Sequence, residues 1–402
     1  MAKETVKLTK SGLFIKADPT IGLLVHSPFT GLTYAVHDSD ARLIRKWLDS
    51  PTSTPPSDLY RLSMGAGWAA GADEAKHPTP HLLPGADMWP SLPTPHSPIL
   101  INWFLTGKCP LACLYCYAED LMRDDDLEPD ASDIEKYGAA ILRLNPLVVV
   151  LTGGDPLFSP HLRLAVQLLS GRVGIVVDTS GYTLTDKHVD LFRRHKVTVR
   201  ISFDSERPKV NDYQRPIYDG YPPLIARGKS PAEAAIESLG KCLAAGLSVN
   251  VQTVATKKTA NDLVALGDKL YRLGVGVWRV FKVARSQARI EGYKQLVGAY
   301  LDSGKPITGK KARGPYEFVF GEIQSSYMTR WKQRMAVQVT YNDVPNSVIL
   351  VSPDGIFYTE SNVNLAKVVI DDLNPKAPSL EAIHSRVNML AHAERYLNLT
   401  SP

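Results

Sequence analysis

Six apolar, strand-like runs alternate with amphipathic helical patterns between residues 98 and 285, and this alternation constrains the fold more than any other feature. The predicted strands are Ile99 to Leu105, Leu147 to Leu151, Gly174 to Asp178, Thr198 to Phe203, Ser248 to Val254 and Gly276 to Val283. Helices are predicted near residues 115–124, 132–144, 160–170, 185–195, 231–245 and 260–273. Such units wind right-handed around a parallel sheet. We therefore predict an α/β fold, a partial (β/α)6 TIM-type barrel with its chemistry at the carboxyl ends of the strands.

Flanking segments complete the predicted organisation. Residues 1–50 are predicted to form a β-hairpin and a helix, a small N-terminal α+β segment. Ten prolines between Pro51 and Pro98 predict a linker over residues 51–97, because proline interrupts helices and central strands. We assign the barrel core to residues 98–285. Residues 286–402 are assigned to a C-terminal α/β extension, with a hairpin that turns at Pro353-Asp354-Gly355.

The composition excludes several classes of protein. With 44% hydrophobic and 22% charged residues, the chain can bury a full core, which excludes disordered tails, collagen and small disulfide scaffolds. The sequence has no run of about 18 apolar residues and no signal-peptide pattern, so we expect a cytoplasmic protein without a membrane span. Four cysteines are too few for a disulfide framework, and three of them fall within eight residues. This clustering indicates a metal or cofactor site in a reducing compartment.

Cys109, Cys113 and Cys116 follow the first predicted strand in a CxxxCxxC spacing. Three thiolates this close on one loop can hold a single metal centre. Structural zinc normally takes four protein ligands, and no fourth cysteine or histidine lies near in the sequence. A [4Fe–4S] cubane also usually takes four thiolates, so three would leave one iron open. An open iron is a site for a substrate.

The motif resembles the signature of a known family. CxxxCxφC with an aromatic residue at φ, here Tyr115, is similar to the signature of radical S-adenosylmethionine (radical SAM) enzymes, and the resemblance covers roughly residues 98–285. It implies that Cys109, Cys113 and Cys116 bind a [4Fe–4S] cluster whose open iron chelates S-adenosylmethionine (SAM). It also implies reductive cleavage of SAM to a 5′-deoxyadenosyl radical, which abstracts hydrogen from the substrate. The family's full or partial (β/α)6 barrel agrees with the six units above.

Polar residues at the ends of later strands resemble the family's SAM-binding motifs. Gly153-Gly154-Asp155 resembles the GGE motif that binds the SAM amino group, with Asp155 in place of glutamate. The resemblance further implies Ser180, Ser202 and Gln252 at the ribose or methionyl part, Arg215 as a carboxylate-binding group, Tyr115 and Tyr117 beside the cofactor, and Asp204 as the catalytic residue facing the substrate. Structural roles stay open for five of these residues: caps or turns for Ser180, Ser202 and Asp204, a surface salt bridge for Arg215 and a cross-strand contact for Gln252.

Cys242 lies near the apolar face of a predicted helix. We interpret it as a buried small hydrophobe rather than a catalytic thiol or a cluster ligand.

The C-terminal region resembles that of peptide-modifying members, which mature ribosomally made precursor peptides (RiPPs). The run from Pro353 to Glu360 is similar to their "PDGxφYPC" phrase without its cysteine, and no cysteine follows Cys242. This implies a SPASM-like extension that lacks auxiliary clusters. The N-terminal hairpin resembles segments that accept a leader peptide by strand addition. The stretch from Trp103 to Met122 resembles spliceases, which cut the backbone and excise part of a tyrosine residue.

The resemblance therefore favours a peptide maturase of lyase or oxidoreductase type. Its expected partners are a precursor peptide, a small leader-binding protein and a flavodoxin- or ferredoxin-type electron donor. Other functions stay open. A radical SAM enzyme could act on a small metabolite instead, or on RNA through the fourteen Lys or Arg residues between Lys269 and Arg334, which equally suit a solvated face. A non-catalytic iron–sulfur binding or sensing protein would hold a cluster without cleaving SAM.

Overall fold

The computed structural model describes residues 6–9, 12–36, 94–121, 128–220, 228–283, 315–331, 334–340, 344–361 and 366–399. The strands in these residues are β1 (Lys7–Leu8), β2 (Phe14–Asp18), β3 (Gly22–Ser27), β4 (Leu32–Val36), β5 (Leu100–Phe104), β6 (Val148–Thr152), β7 (Gly174–Thr179), β8 (Thr198–Ser202), β9 (Val249–Ala255), β10 (Val277–Lys282), β11 (Ala336–Thr340), β12 (Leu350–Val351), β13 (Phe357–Ser361), β14 (Ala366–Val369) and β15 (Asn398–Leu399). The α-helices are α1 (Ala131–Arg143), α2 (Leu162–Leu169), α3 (Asp186–Arg194), α4 (Pro208–Gln214), α5 (Pro231–Ala244), α6 (Leu263–Leu273), α7 (Pro315–Ser326), α8 (Leu380–Arg386) and α9 (Met389–Tyr396). Short 3-10 helices cover Glu119–Leu121, Pro156–Phe158 and Ala260–Asp262, and a π-helical turn covers Tyr327–Trp331.

Several predicted features lie outside the described residues. These are the N-terminal helix after residue 37, residues 51–93 of the linker, residues 122–127, and residues 284–314, which hold half of the Lys and Arg residues of the basic stretch.

The six predicted barrel strands are β5 to β10, and their bounds agree with the prediction to within one residue at each end. They form a continuous parallel sheet in the order of the sequence. This confirms the α/β class and the partial TIM-type architecture. One helix prediction is wrong: residues 115–118 form turns, and only Glu119–Leu121 is helical, as a 3-10 turn.

Residues after the sixth unit add strands to both ends of this sheet. β11 pairs in parallel with β10, and β12 pairs in parallel with β5 on the opposite side. β12, β13 and β14 then form an antiparallel meander. Gly355, at φ +85° in the predicted Pro-Asp-Gly turn, lies against the Tyr137 ring, where any Cβ would clash. Strands β11 to β14 of the C-terminal extension thus belong to the barrel sheet.

Helix positions follow from local signals in the sequence. Capping boxes begin α1 at Asp130, α3 at Thr185 and α5 at Ser230, where side chains accept the first free backbone N–H groups. Alternate strand residues such as Trp103, Leu151 and Ile201 are fully buried in the core cluster that includes buried residues of the helices. The opposite face of the same strands carries Asn102, Thr152, Ser202 and other polar residues, which point into the barrel.

A second, five-stranded sheet combines both ends of the chain, in the order β1-β2-β3-β4-β15. Its apolar residues form a cluster with Leu100, Val148 and Val176 on the inner face of the barrel strands. The turn between β3 and β4 lies against β8 and β9: the Thr198 hydroxyl donates to the Pro28 carbonyl at 2.9 Å. The N-terminal sheet therefore forms the floor of the barrel.

The described helices include none that is both long and apolar enough to cross a membrane.

Candidate active site

The three clustered cysteines lie on a loop that leaves the carboxyl end of β5. Ala112 N–H donates to the Pro216 carbonyl at 2.7 Å, and Leu114 N–H donates to the Gln214 carbonyl at 2.9 Å. The loop is therefore held by the end of α4 and the residues after it, at the mouth of the barrel. The pairing ends at Leu114, directly before the residues that the local sequence pattern predicted to be helical.

The thiols of the loop are partly or fully shielded from solvent. Cys109 is 7% exposed, and Cys113 and Cys116 are partly buried. Burial raises the pKa of the Cys109 thiol, and the Asp155 carboxylate and the other two thiols raise it further. Three thiolates at such a site need a compensating positive charge, which a metal centre provides.

The donor set fits a [4Fe–4S] cubane. The loop supplies three thiols, those of Cys109, Cys113 and Cys116, and each thiolate would bind a different iron. Within the described ranges, no three His, Cys, Asp or Glu side chains are grouped as ligands of one metal ion.

Gly153 and Gly154 bring the end of β6 against the cysteine loop. A Cβ on Gly153, which has φ +140°, would lie 2.5 Å from the Thr106 carbonyl oxygen, and one on Gly154 would lie 2.1 Å from the Lys108 carbonyl oxygen. Gly154 N–H donates to the Thr106 carbonyl at 2.8 Å. The two glycines are thus required by the close approach of two backbones, in addition to lining the cavity described below.

Asp155 links the end of β6 to the end of β7. Its carboxylate accepts hydrogen bonds from the Thr179 hydroxyl at 2.7 Å, from Ser180 N–H at 3.0 Å and from the Ser180 hydroxyl. It also caps the 3-10 turn through Leu157 N–H at 3.1 Å. The side chain is 1% exposed and lies behind the cavity wall. The structure therefore shows Asp155 as a support for Ser180, and its contact with the SAM amino group stays a prediction.

Tyr115, Asp204 and Arg215 form a buried network under the cysteine loop. The Tyr115 hydroxyl donates to the Asp204 carboxylate and accepts a hydrogen bond from Arg215 Nη1 at 2.6 Å. Arg215 Nη1 is 3.9 Å from Asp204 Oδ2, and Val254 N–H donates to Asp204 Oδ1 at 2.9 Å. Burial raises the pKa of both the Tyr115 phenol and the Asp204 carboxyl, against the opposing charge of Arg215.

The burial and hydrogen bonds of Asp204 and Arg215 in this network bear on their predicted roles. Arg215 is 7% exposed and bonded to Tyr115, so its alternative role in a surface salt bridge does not apply. Asp204 is fully buried, and its oxygens already accept hydrogen bonds from Tyr115 and Val254. Its position suits orienting Tyr115, the aromatic residue between two cysteines of the motif. A direct role with substrate stays a prediction.

A cavity of about 270 Å³ opens at the carboxyl ends of the barrel strands. It is lined by twelve of the thirteen residues predicted for the site, with Asp155 directly behind: Cys109, Cys113, Cys116, Tyr115, Tyr117, Gly153, Gly154, Ser180, Ser202, Asp204, Arg215 and Gln252. Gln338 of β11 and Glu360 of β13 also line it, so the sheet curls around the cavity from both ends.

Sequence reasoning missed the charged residues deeper in this cavity. Asp178, Arg200 and Arg279 line it from β7, β8 and β10. Gln252 Nε2 donates to Asp178 Oδ2 at 3.2 Å, so the predicted cross-strand contact of Gln252 exists. The available signal was a charged residue inside an apolar strand, which marks either an edge or an inward-facing polar position.

Cys242 lies away from the cavity, in α5. It is fully buried in the main core cluster, and burial raises the pKa of its thiol to about 12. This position matches a small buried hydrophobe.

Comparison with protein families identifies residues 103–269 with the model described as the Radical SAM superfamily. Among curated proteins, the chain is 27% identical over 137 residues to the probable GTP 3′,8-cyclase of Methanothermobacter marburgensis, covering 32% of this chain and 45% of that protein. It is 26% identical over 170 residues to the mycofactocin maturase MftC of Mycobacterium tuberculosis, covering 42% of this chain and 40% of that protein. The matches thus span less than half the length of these relatives.

A solved structure extends the similarity over nearly the whole chain. Streptococcus suis SuiB, bound to the precursor peptide SuiA, superposes with a TM-score of 0.56 and covers 98% of both chains. At 12% sequence identity this likeness concerns the fold. It includes the flanking sheet and the C-terminal extension as well as the barrel.

Proposed function

We propose that this chain, whose residues 103–269 match the radical SAM superfamily model, is an enzyme that cleaves SAM reductively and modifies a precursor peptide by hydrogen abstraction. The family implies a [4Fe–4S] cluster and SAM as cofactors. The observation that carries the proposal is the loop of Cys109, Cys113 and Cys116 at the mouth of a cavity that is lined by the other SAM-motif residues. When bound, the cluster and SAM supply the 5′-deoxyadenosyl radical.

The residues of this chain hold and orient those groups. Cys109, Cys113 and Cys116 would hold the cluster and leave it an open iron, which would bind SAM. The backbone of Gly153 and Gly154 fixes the cysteine loop against the end of β6. Ser180 and Ser202 present hydroxyl groups to the cavity, and Asp155 holds Ser180 in place. Buried walls around the site exclude water, which protects a reactive radical from side reactions.

Two observations support a peptide as the substrate. One relative is named a maturase and SuiB was solved in complex with a precursor peptide, and the fold agrees with SuiB over nearly the full chain. Glu360 stands where the peptide-modifying phrase has its cysteine, and it lines the cavity, bonded to Lys367 Nζ at 3.2 Å. We therefore propose a maturase in which this region forms a cavity wall.

Finer parts of the proposal rest on the sequence resemblance. Backbone splicing at a tyrosine-containing site rests on the stretch from Trp103 to Met122, of which Met122 lies outside the described residues. A leader-binding partner protein and a flavodoxin- or ferredoxin-type electron donor complete the scheme. We propose a cytoplasmic location, because a reducing compartment keeps free cysteine thiols available to hold an iron–sulfur cluster.

A small molecule is the second candidate substrate. The relative named a probable GTP 3′,8-cyclase favours it, since that name describes chemistry on a nucleotide. The cavity is enclosed enough to hold a small ligand, and it lies in the part of the barrel that both candidates would use.

The test compares the two substrate classes in one assay. The protein is reconstituted anaerobically with iron and sulfide, then given SAM, dithionite and either synthetic peptides encoded beside its gene or GTP. We expect a peptide mass change that accompanies 5′-deoxyadenosine formation, and a loss of a tyrosine fragment if splicing occurs. Stimulation by GTP with no change in any peptide would instead support the small-molecule candidate.

A further inference from the structure

The inner part of the cavity carries more positive than negative charge. Among the charged residues that line it, five are basic and three are acidic. Each of the acids has a basic group within 4 Å: Asp204 lies near Arg215, Glu360 is bonded to Lys367, and Asp178 Oδ1 is 3.0 Å from Arg200 Nε in an ion pair without hydrogen-bond geometry. The carboxylates of the wall are therefore already engaged.

Arg279 stands apart from these pairs. Its Nη2 is 3.5 Å from the Gly31 carbonyl, and its buried Nε has no hydrogen-bond partner among the described residues. Among the described residues, no carboxylate forms an ion pair with Arg279. Burial and the neighbouring Arg200 lower the pKa of Arg279 to about 9, although Asp178 opposes this shift. A buried guanidinium is costly without a partner, and its planar donors match a carboxylate.

The position of Arg279 is deeper than that of the cysteines. It lies on β10 in register with Gln252 on β9 and Gln338 on β11. Lys282, three residues further along, ends the strand. At about 3.3 Å per residue, Arg279 lies roughly 10 Å below the carboxyl end of β10. A group bound there would fix the far end of a substrate whose reacting carbon lies near the cysteine loop.

We propose that Arg279, with Arg200 beside it, binds a carboxylate of the substrate at the floor of the cavity. The carboxylate belongs to an acidic side chain or a chain terminus of the peptide. This inference adds a substrate-binding group to the proposed function. It rests on that function only in identifying the bound carboxylate as part of the substrate. The anchor sets which carbon faces the cofactor, because it fixes the distance between the carboxylate and the mouth of the barrel.

The test measures carboxylate binding independently of turnover. Glutarate is titrated into the reconstituted protein with saturating SAM under anaerobic conditions, and the melting temperature is recorded. Glutaramide is the neutral control, and sodium chloride matches the ionic strength. We expect a saturable rise in melting temperature with glutarate alone, because a ligand of the folded state stabilises it by mass action.

Variants then assign the response to Arg279. We expect Arg279→Met to abolish it, Arg279→Lys to retain part of it, and Arg193→Met, which changes a surface residue, to keep it fully. Unliganded Arg279→Met should melt no lower than wild type, because it removes a buried charge without a carboxylate partner. A full glutarate response in Arg279→Met, or no response in wild type, would overturn the proposal.

Further arms identify the source of the carboxylate. Acetyl-Gly-Glu-Gly-amide and acetyl-Gly-Gly-Gly present a side-chain and a terminal carboxylate, and acetyl-Gly-Gln-Gly-amide is the neutral peptide. A response to either acid but not to the neutral peptide supports the proposal and names the source. If glutarate raised the melting temperature only in the absence of SAM, the result would mean that Arg279 binds the carboxylate of SAM. That result would overturn the proposal. SAM cleavage is measured separately, so its loss would contradict only the proposed function.

Discussion

Single side chains decide how firmly the cysteine loop is held, and a substitution of Tyr115 tests this most directly. Tyr115→Phe removes the hydroxyl that joins Asp204 to Arg215 and leaves two buried charged groups with fewer partners. We expect the free energy of unfolding to fall by about 1–3 kcal/mol. Formation of 5′-deoxyadenosine should slow roughly tenfold, because the adjacent cysteine loop loses its fixed geometry.

The matched control for this change is Tyr213→Phe. Tyr213 is 53% exposed, so the loss of its hydroxyl should alter stability by less than about 0.5 kcal/mol. Urea unfolding and a timed 5′-deoxyadenosine assay measure both effects. If Tyr115→Phe behaved like the Tyr213 variant in both assays, the network would have no supporting role.

Asp155→Asn separates two roles of the carboxylate. The substitution keeps the shape but weakens the hydrogen bonds from Thr179 and Ser180, so we expect a loss of about 1–3 kcal/mol in the free energy of unfolding. SAM affinity, measured by equilibrium dialysis, should fall as Ser180 shifts. Asp186→Asn, on an exposed side chain, is the control. Unchanged SAM affinity alongside reduced stability would confine Asp155 to a structural role.

Much of the site was predictable from the cysteine spacing and from the family that it resembles. The spacing indicated the cysteine motif, the resemblance implied Gly153-Gly154 and the polar residues after the strands, and twelve of thirteen predicted residues line one cavity. The partners of Asp155 and Asp204 were not predictable, because Thr179 and Tyr115 approach them only through the fold. Arg279 was missed because the inward face of a strand is not known until the sheet is formed.

Among the secondary-structure elements, the β3–β4 turn offers the sharpest test of how the N-terminal sheet packs against the barrel. Gly31 has φ +68°, and a Cβ there would lie 2.6 Å from both Asn250 Nδ2 and Thr198 Cγ2. Gly171 has a similar φ of +73° with nothing within 4 Å. Both alanine variants carry the backbone strain, about 1 kcal/mol, and only Gly31→Ala adds a clash, for a total of about 2–4 kcal/mol.

Urea unfolding of the two variants measures this difference directly. Equal losses would mean that the turn between β3 and β4 does not press against β8 and β9. A larger loss in the free energy of unfolding for Gly31→Ala supports the N-terminal sheet as the floor of the barrel. Removal of residues 1–50 should therefore unfold the protein rather than only weaken contact with a leader peptide.

Some secondary-structure elements were predicted well from local sequence patterns, and others were not. β5 to β10 were predicted well because long apolar runs with capped helices between them are strong local signals. The helix predicted near residues 115–124 was wrong over 115–118, directly after Ala112 and Leu114 pair with distant backbone. β12 was predicted as the first strand of the hairpin at Pro353-Asp354-Gly355, and it pairs with β13 as expected. Its parallel pairing with β5 joins distant parts of the chain, so no local pattern predicts it.

For the whole molecule, His392 connects the C-terminal helix to the barrel. Its Nε2 faces the N–H groups of Ile99 at 3.1 Å and Leu100 at 3.3 Å, while its Nδ1 is 2.9 Å from the Ser347 carbonyl. These partners fit the neutral ring with the proton on Nδ1. Burial lowers the pKa of His392 from 6.5 to about 4.

This lowered pKa predicts a pH-dependent stability. The unfolded chain binds more protons than the folded chain between pH 6.5 and pH 4, so stability falls as the pH drops through this window. We expect His392 to account for about 2 kcal/mol of the loss between pH 7 and pH 5. Urea unfolding of wild type and His392→Gln at both pH values measures it. An equal loss in the variant would contradict this assignment.

We propose that the cysteine loop holds the group at which SAM is cleaved. The direct measurement is 5′-deoxyadenosine after anaerobic reconstitution, with SAM and dithionite, in wild type, Cys113→Ala and Cys242→Ala. We expect formation in wild type and in Cys242→Ala, since Cys242 lies in the core away from the cavity, and none in Cys113→Ala. SAM cleavage retained in Cys113→Ala, or absent from wild type with a well-formed cluster and substrate present, would contradict it.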